Sequence, residues 1–153
     1  MACSARLSIE PIAAEAELTA FLVAAEGAGA VVSFCGLARS VAKDGSALDF
    51  LHLDHHPRLT EASLKAIAEA GRDRFALTQV GVVHRHGAIW PGETIVFVAA
   101  AAPHRRAAFE GADYVMDRLK SDAIFWKREQ GPDGVRWIEP TEDDRADLAR
   151  WGE

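Results

Sequence analysis

Apolar positions along the chain recur with two periods, and the switches between them outline the elements. Segment 15–26 carries Leu18, Phe21, Leu22 and Ala25 at helical spacing, and Gly27 ends it. The stretch "GAVVSFCGLARS" is rich in β-formers and predicts a strand that ends at Gly36 and leads into a loop with Arg39. "VAKDGSA" continues as loop, and the alternation in "LDFLHLD", residues 48–54, predicts a second strand. From Thr60, a candidate N-cap, the period is helical again: Leu64, Ile67, Ala68, Gly71 and Phe75 share one face, and Lys65, Glu69 and Arg72 the other.

The second half repeats the alternation. "QVGVVHRHGAIW" and "ETIVFVAAAA" read as two strands joined through a "PGE" turn, in which Pro91 and Gly92 supply the backbone geometry. Residues 104–120 are helical through Ala108, Ala112, Val115, Met116 and Leu119. "AIFWKRE" and "VRWIEP" predict a hairpin around "QGPDG". Thr141, followed by Glu142, Asp143 and Asp144, caps a C-terminal helix over about 141–151, where acids complement the helix dipole. Hairpins interleaved with helices, without regular βαβ alternation, point to an α+β fold with a largely antiparallel sheet. There are no internal repeats, dinucleotide fingerprint or P-loop.

Length and charge narrow the function classes. The 153 residues suit one domain over 1–153, since a chain of this size buries roughly two-thirds of its unfolded surface. The net charge of −6 is uneven: from Glu139 onward the tail accounts for −4 of it, so the body is nearly balanced. A nucleic-acid binder would carry a basic stripe instead. The N-terminus has no apolar signal region, and the longest uncharged apolar run, Ile95 to Ala102, is far below the ~20 residues of a membrane span. Cys3 and Cys35 lie far apart with no CxxC spacing, which fits a reducing cytoplasm and neither a disulfide framework nor a thiolate zinc site.

Four groups of residues could carry chemistry. In "PHRRAAFEG", His104, Arg105 and Arg106 occupy the first turn of a helix, where the dipole disfavours cations; a bound anion such as a phosphate would resolve the conflict, and side chains splayed into water are the alternative. Lys120 and Lys127 bracket the apolar patch Ile124, Phe125 and Trp126. Strand alternation sets Lys127 beside Phe125, so its amine emerges next to an aromatic ring; Lys120, ending a helix, also serves as an ordinary dipole complement. His84 and His86 form an HxH that puts both rings on one strand face, and "DHH" at 54–56 could add metal ligands, although solvated or hydrogen-bonded histidines explain the same pattern. Cys35 has no base nearby in sequence and reads as an inert buried thiol.

Taken together, "GAVVSFCGLARS", the block from His84 through Glu129 with its "HRxG" strand, "PGE" turn, "HR" helix start, "LK" and "FWKRE", and the closing "RW" resemble the large, catalytic subunit of molybdopterin synthase. The resemblance spans roughly residues 5 to 151. It implies an α/β hammerhead with additional antiparallel β-sheet, and a heterotetramer built on a homodimer of large subunits with a small ubiquitin-like sulfur carrier at each end. The carrier's C-terminal Gly-Gly thiocarboxylate would enter a pocket of the large subunit and pass sulfur to cyclic pyranopterin monophosphate, two transfers building the dithiolene of molybdopterin. Lys120 and Lys127 match the family's active-site lysines, and Arg39, His104 and Arg105 its substrate-anion positions, some of them supplied by the other large subunit. Phe34, Met116 and Arg136 are implied as pocket lining or secondary contacts. No metal or other cofactor is implied for the transfer, and Cys35 would be dispensable because the partner delivers the sulfur.

The chain departs from the family pattern at His56, Asp54 and Ile124, where tyrosine, glutamate and proline are expected, and at His86, since only His84 belongs to the pattern. Two other functions fit parts of the sequence. A metal-dependent hydrolase would use His84, His86 and the 54–56 cluster, and an anion-binding scaffold would need His104 and Arg105 but tolerate loss of both lysines.

Overall fold

The computed structural model describes residues 3–152. Two four-stranded sheets and four helices make up an α+β architecture. In chain order they are β1 (Cys3–Ser8), α1 (Ala14–Ala24), β2 (Ala30–Leu37), β3 (Phe50–His55), α2 (Leu59–Phe75), β4 (Gln79–Arg85), β5 (Gly87–Ile89), β6 (Thr94–Ala102), α3 (Arg105–Asp122), β7 (Phe125–Gly131), β8 (Gly134–Ile138) and α4 (Glu142–Ala149).

The first sheet runs β1-β4-β6-β2. Its central strand β6 is buried on both faces, which explains the unbroken apolar run "IVFVAAAA". Val96, Val98, Ala100 and Ala102 face one way, into the main core with α2 and α3; Phe97, Ala99 and Ala101 face the other, against Phe21 and Ala25 at α1. Small residues let the layers close up. A Cβ at Gly71 would lie 2.6 Å from Val115 Cγ2, so α2 and α3 approach at a distance only glycine permits, and one at Gly111 would lie 2.6 Å from Leu77 Cδ1, in the connection from α2 to β4.

The second sheet, β5-β3-β7-β8, is antiparallel throughout. Its inner face carries Leu53, fully buried with Ile89 and Ala38, and Phe125 joins that cluster. The outer face leaves Trp126 and Trp137 half exposed.

Most of the expected elements form, with four differences. Strand β1, which the sequence pattern did not reveal, pairs with β4 in parallel, so the first sheet is mixed. "QVGVVHRHGAIW" is two strands in different sheets: the chain breaks at His86, and Gly87, at φ 83°, turns it from the first sheet to the second. Thr60 is not an N-cap. The α2 cap is Arg58, without a side-chain bond, while Thr60 lies buried in the first turn and bonds outside the helix. Cys35 is exposed on edge strand β2 rather than buried. At the other end Thr141 does cap α4, in a full capping box with Asp144.

Candidate functional site

Helix α3 ends at Asp122, and only Ala123 and Ile124 separate it from β7, so the chain reverses sharply between Lys120 and Lys127. Two side chains of α2 clamp that corner. The Thr60 hydroxyl donates to the Ile124 carbonyl at 2.6 Å and accepts from the His56 amide at 2.7 Å, while the Ile124 amide donates to Ser63 Oγ at 3.2 Å. Both backbone groups of residue 124 are thus fixed, and with them the directions in which the two lysines leave.

Strand alternation then sets the environment of Lys127. It pairs with Leu53 on β3 and Ile138 on β8 and shares the inner face with Phe125, while Trp126 points outward. Burial lowers the Lys127 amine pKa below the ordinary lysine value, and the nearby Lys120 charge lowers it further; the Asp144 carboxylate acts in the opposite sense. Lys120 itself is exposed at the last turn of α3.

Beneath the pair lies His84. It is 5 % exposed, and its ring stacks on Phe125 with centroids 4.3 Å apart. Nδ1 lies 2.8 Å from the Arg85 carbonyl, an acceptor only, so the ring carries its proton on Nδ1. Burial pushes its pKa down to about 4, against the bond to Arg85, and the charges of Lys127 and Lys120 add to the depression. His84 is a neutral floor under two cations.

His86, by contrast, packs against His55 with centroids 4.1 Å apart and ring planes tilted by 47°, so the two rings of the HxH enter different surroundings. Burial lowers the His86 pKa, and His55, Arg85 and His52 contribute. His56 Nδ1 accepts from the Arg58 and Leu59 amides at the start of α2. Among the described residues no group of three or more His, Cys, Asp or Glu side chains is arranged to hold a metal ion.

His104 and Arg105 stand at the opposite end of α3. His104 is the N-cap residue, extended and making no side-chain cap bond, and the first turn contains no acid. With Arg106, Pro103, Gly29 and Ala30 they line an open pocket of about 490 Å³. Its free amides and cations suit an anion. At 1.5 Å per residue, however, about 24 Å of helix separates residue 104 from residue 120, so one copy of the chain does not bring this pocket to its own lysines.

The remaining predicted residues divide. Arg39 is exposed on the loop that follows β2, and Phe34 is 43 % exposed on β2 itself. Met116 packs against the main core. Arg136 on β8 is held by the 41–47 loop, with Nη2 3.1 Å from Asp44 and 3.3 Å from the Ser46 hydroxyl. The "HR" and "PGE" motifs meet structurally: buried Arg85 donates to Glu93 at 3.3 Å and to the Ala88 carbonyl at 3.0 Å, and Glu93 accepts from the Trp90 amide at 2.7 Å. Sequence spacing alone missed His84 as the floor of the lysine pair and Asp144 as its nearby acid. The sequence places Asp144 only among the three acids that follow Thr141 at the start of a helix.

Comparison with known proteins supplies the family context. The family model described as MoaE protein matches residues 7–122. The molybdopterin synthase catalytic subunit of Caulobacter vibrioides is 52 % identical over 95 % of each chain. Among solved structures, molybdopterin cofactor biosynthesis protein E from Burkholderia multivorans superposes with a TM-score of 0.82 at 37 % identity, covering 100 % of this chain and 99 % of the other. A molybdopterin synthase structure from Staphylococcus aureus gives 0.78 at 29 % identity over 88 % and 96 %.

Proposed function

Because the chain belongs to the MoaE family of molybdopterin synthase catalytic subunits, we propose that Lys120 and Lys127 form the site at which it transfers sulfur from a carrier thiocarboxylate to a pterin precursor. The observation that carries this reading is the convergence of the two amines at the clamped α3–β7 corner, over a neutral His84.

The site's chemistry follows from its charges. A thiocarboxylate tail is an extended anion, and two ammonium groups beside an apolar inner face would hold it by charge and by hydrogen bonds. The thiocarboxylate sulfur first bonds to a side-chain carbon of the precursor and displaces an oxygen substituent there, giving a carrier–pterin thioester. When water then attacks the acyl carbonyl of this thioester, negative charge develops on its oxygen, and a half-buried cation stabilises that charge more than a solvated one would. Collapse of the adduct breaks the C–S bond: sulfur stays on the pterin, and the carrier leaves as a carboxylate. Two such transfers to cyclic pyranopterin monophosphate build the dithiolene.

The cyclic phosphate belongs, in this reading, to the pocket at His104 and Arg105, with Arg39 as a further cation and Phe34, Met116 and Arg136 in supporting positions. The length of α3 supports a composite site, in which the phosphate pocket of one large subunit serves the lysines of its partner in a homodimer. One small ubiquitin-like carrier per large subunit completes a heterotetramer. The two free cysteines fit a cytoplasmic setting. Among the described residues no helix is long and apolar enough to cross a membrane.

The test is direct: the protein, a thiocarboxylated carrier and the precursor are mixed and the pterin is followed by mass spectrometry. Two added sulfurs support the reading; a precursor that binds without gaining sulfur from a competent carrier contradicts it and favours the anion-binding scaffold.

A further inference from the structure

Between β2 and β3 the segment "ARSVAKDGSALD", residues 38–49, folds back on itself. The Leu48 amide donates to the Ser40 carbonyl at 2.9 Å, Val41 bridges Ala47 in antiparallel register, and the Ala42 amide donates to the Ser46 carbonyl at 2.8 Å. Lys43, Asp44 and Gly45 form the tip, closed by the Gly45 amide on the Ala42 carbonyl at 2.9 Å. The result is a small hairpin whose base begins one residue after Arg39.

Two contacts lay this hairpin on the second sheet. Near its base the Asp49 amide donates to the Gln130 carbonyl at 2.7 Å, and a Cβ at Gly131 would lie 2.6 Å from the Ala47 carbonyl oxygen, so the segment rests on the end of β7. At its tip three side chains close on one another. Asp44 Oδ1 accepts from the Ser46 amide at 3.0 Å and from its hydroxyl at 2.6 Å, while Arg136 Nη2, from β8, lies 3.1 Å from Asp44 Oδ2 and donates to the Ser46 hydroxyl at 3.3 Å. The Ser46 bonds first, and then Arg136, hold the Asp44 carboxyl well below the usual carboxylate range, so both members of the pair are charged at neutral pH.

On the other side of Arg39 the chain is equally fixed. Ala38 is buried with Leu53 and Ile89, its amide donates to the Glu93 carbonyl at 2.9 Å, and its carbonyl accepts from the Gly92 amide at 2.9 Å. That turn is itself held by buried Arg85 through the Glu93 carboxylate. Arg39 therefore stands between Ala38, tied to the first sheet through the turn, and Ser40, tied to the second through the hairpin. We propose that Asp44 and Arg136 are positioning residues, a latch that holds the 40–48 hairpin on β7 and β8 and so aims Arg39 at the precursor's phosphate. This inference rests on the role proposed for Arg39 above. It makes Arg136 act through the backbone of the hairpin and not on the phosphate itself.

The sign of one substitution separates the two roles. Asp44→Asn keeps an acceptor for the Ser46 amide but removes the charge that Arg136 grips. Loss of an acid near an anion site would by itself tighten anion binding; loss of the latch weakens it. Calorimetric titration of the homodimer with precursor is expected to give a Kd raised about two- to five-fold in Asp44→Asn and in Arg136→Ala, the range of an exposed ion pair, with the double variant no weaker than either single one. With carrier and saturating precursor, kcat should stay within about two-fold of wild type, and in an Arg39→Ala background Asp44→Asn should have no further effect on Kd. Hydrogen exchange at the Ala42, Gly45 and Leu48 amides should quicken in both single variants. A Kd unchanged or lowered in Asp44→Asn, additive losses in the double variant, or unaltered exchange would overturn the proposal. Exchange needs neither carrier nor precursor, so failure of the latch is read separately from failure of the wild type to transfer sulfur.

Discussion

The imidazole of His84 lies on the ring of Phe125, centroids 4.3 Å apart and planes 28° from parallel, and this stack joins the two sheets beneath the lysine pair. His84 comes from β4 of the first sheet and Phe125 from β7 of the second. The contact therefore ties the orientation of β7, and so the direction of Lys127, to the main core.

Because His84 is neutral when folded, its titration appears in stability. Its folded pKa, about 4, lies below the unfolded value near 6.5, so the unfolded chain binds the extra proton as pH falls through that window. Stability contributed by this group is present above about pH 6.5 and declines toward pH 4. Between pH 7 and pH 5 it amounts to about 2 kcal/mol. Urea unfolding at the two pH values should show a loss smaller by that amount in His84→Gln than in the wild type. Equal losses would mean that His84 does not titrate as a buried neutral group.

The clamp at residue 124 should be felt at a distance. Thr60→Val preserves shape but leaves the Ile124 carbonyl and His56 amide without their partner. A destabilisation of about 1–3 kcal/mol is expected, together with a fall in kcat larger than any rise in KM. A variant as active and stable as the wild type would show that the corner is held by other means.

Lys127 exchanges stability for function. Its partly desolvated amine is costly to the fold, so Lys127→Met should raise Tm by about 2–4 °C while abolishing sulfur transfer. Calorimetry and the transfer assay on the same preparation check both halves. A lower Tm would indicate that the amine is a net stabilising group.

The length of α3 makes a prediction about copies. Lys120→Ala and Arg105→Ala damage opposite ends of the helix, and in a composite site these belong to different pockets of one dimer. Each variant alone should be nearly inactive. Equal amounts dissociated and reassociated together should recover about a quarter of wild-type activity, since half the dimers are mixed and each mixed dimer keeps one intact site. No recovery would place both residues in the same pocket.

Much of this was legible in the residues themselves. Helical and alternating periods located every helix and most strands, because each buries a defined face. Strand β1 escaped because "CSARLS" alternates weakly, and it forms by adding to a β4 edge that the main core already organises. Thr60 looked like a cap because sequence records what precedes a helix, not the Ile124 carbonyl, which lies 64 residues away in the chain. The HxH spacing put two rings on one face only while the strand was taken as continuous; Gly87 separates their surroundings. The lysine pair is visible as two cations flanking apolar residues, but the acid whose charge acts on Lys127 belongs to a tail that reads only as negatively charged.

The most direct measurement is sulfur transfer by the Lys120→Ala variant, with precursor binding followed in the same samples and Cys35→Ser as a thiol control. Loss of about 10²–10³-fold or more in the rate of sulfur incorporation is expected for Lys120→Ala, with the precursor still bound and Cys35→Ser close to wild type. Wild-type rates in Lys120→Ala, or an equal severe loss in Cys35→Ser, would contradict the assignment of the chemistry to the lysine pair.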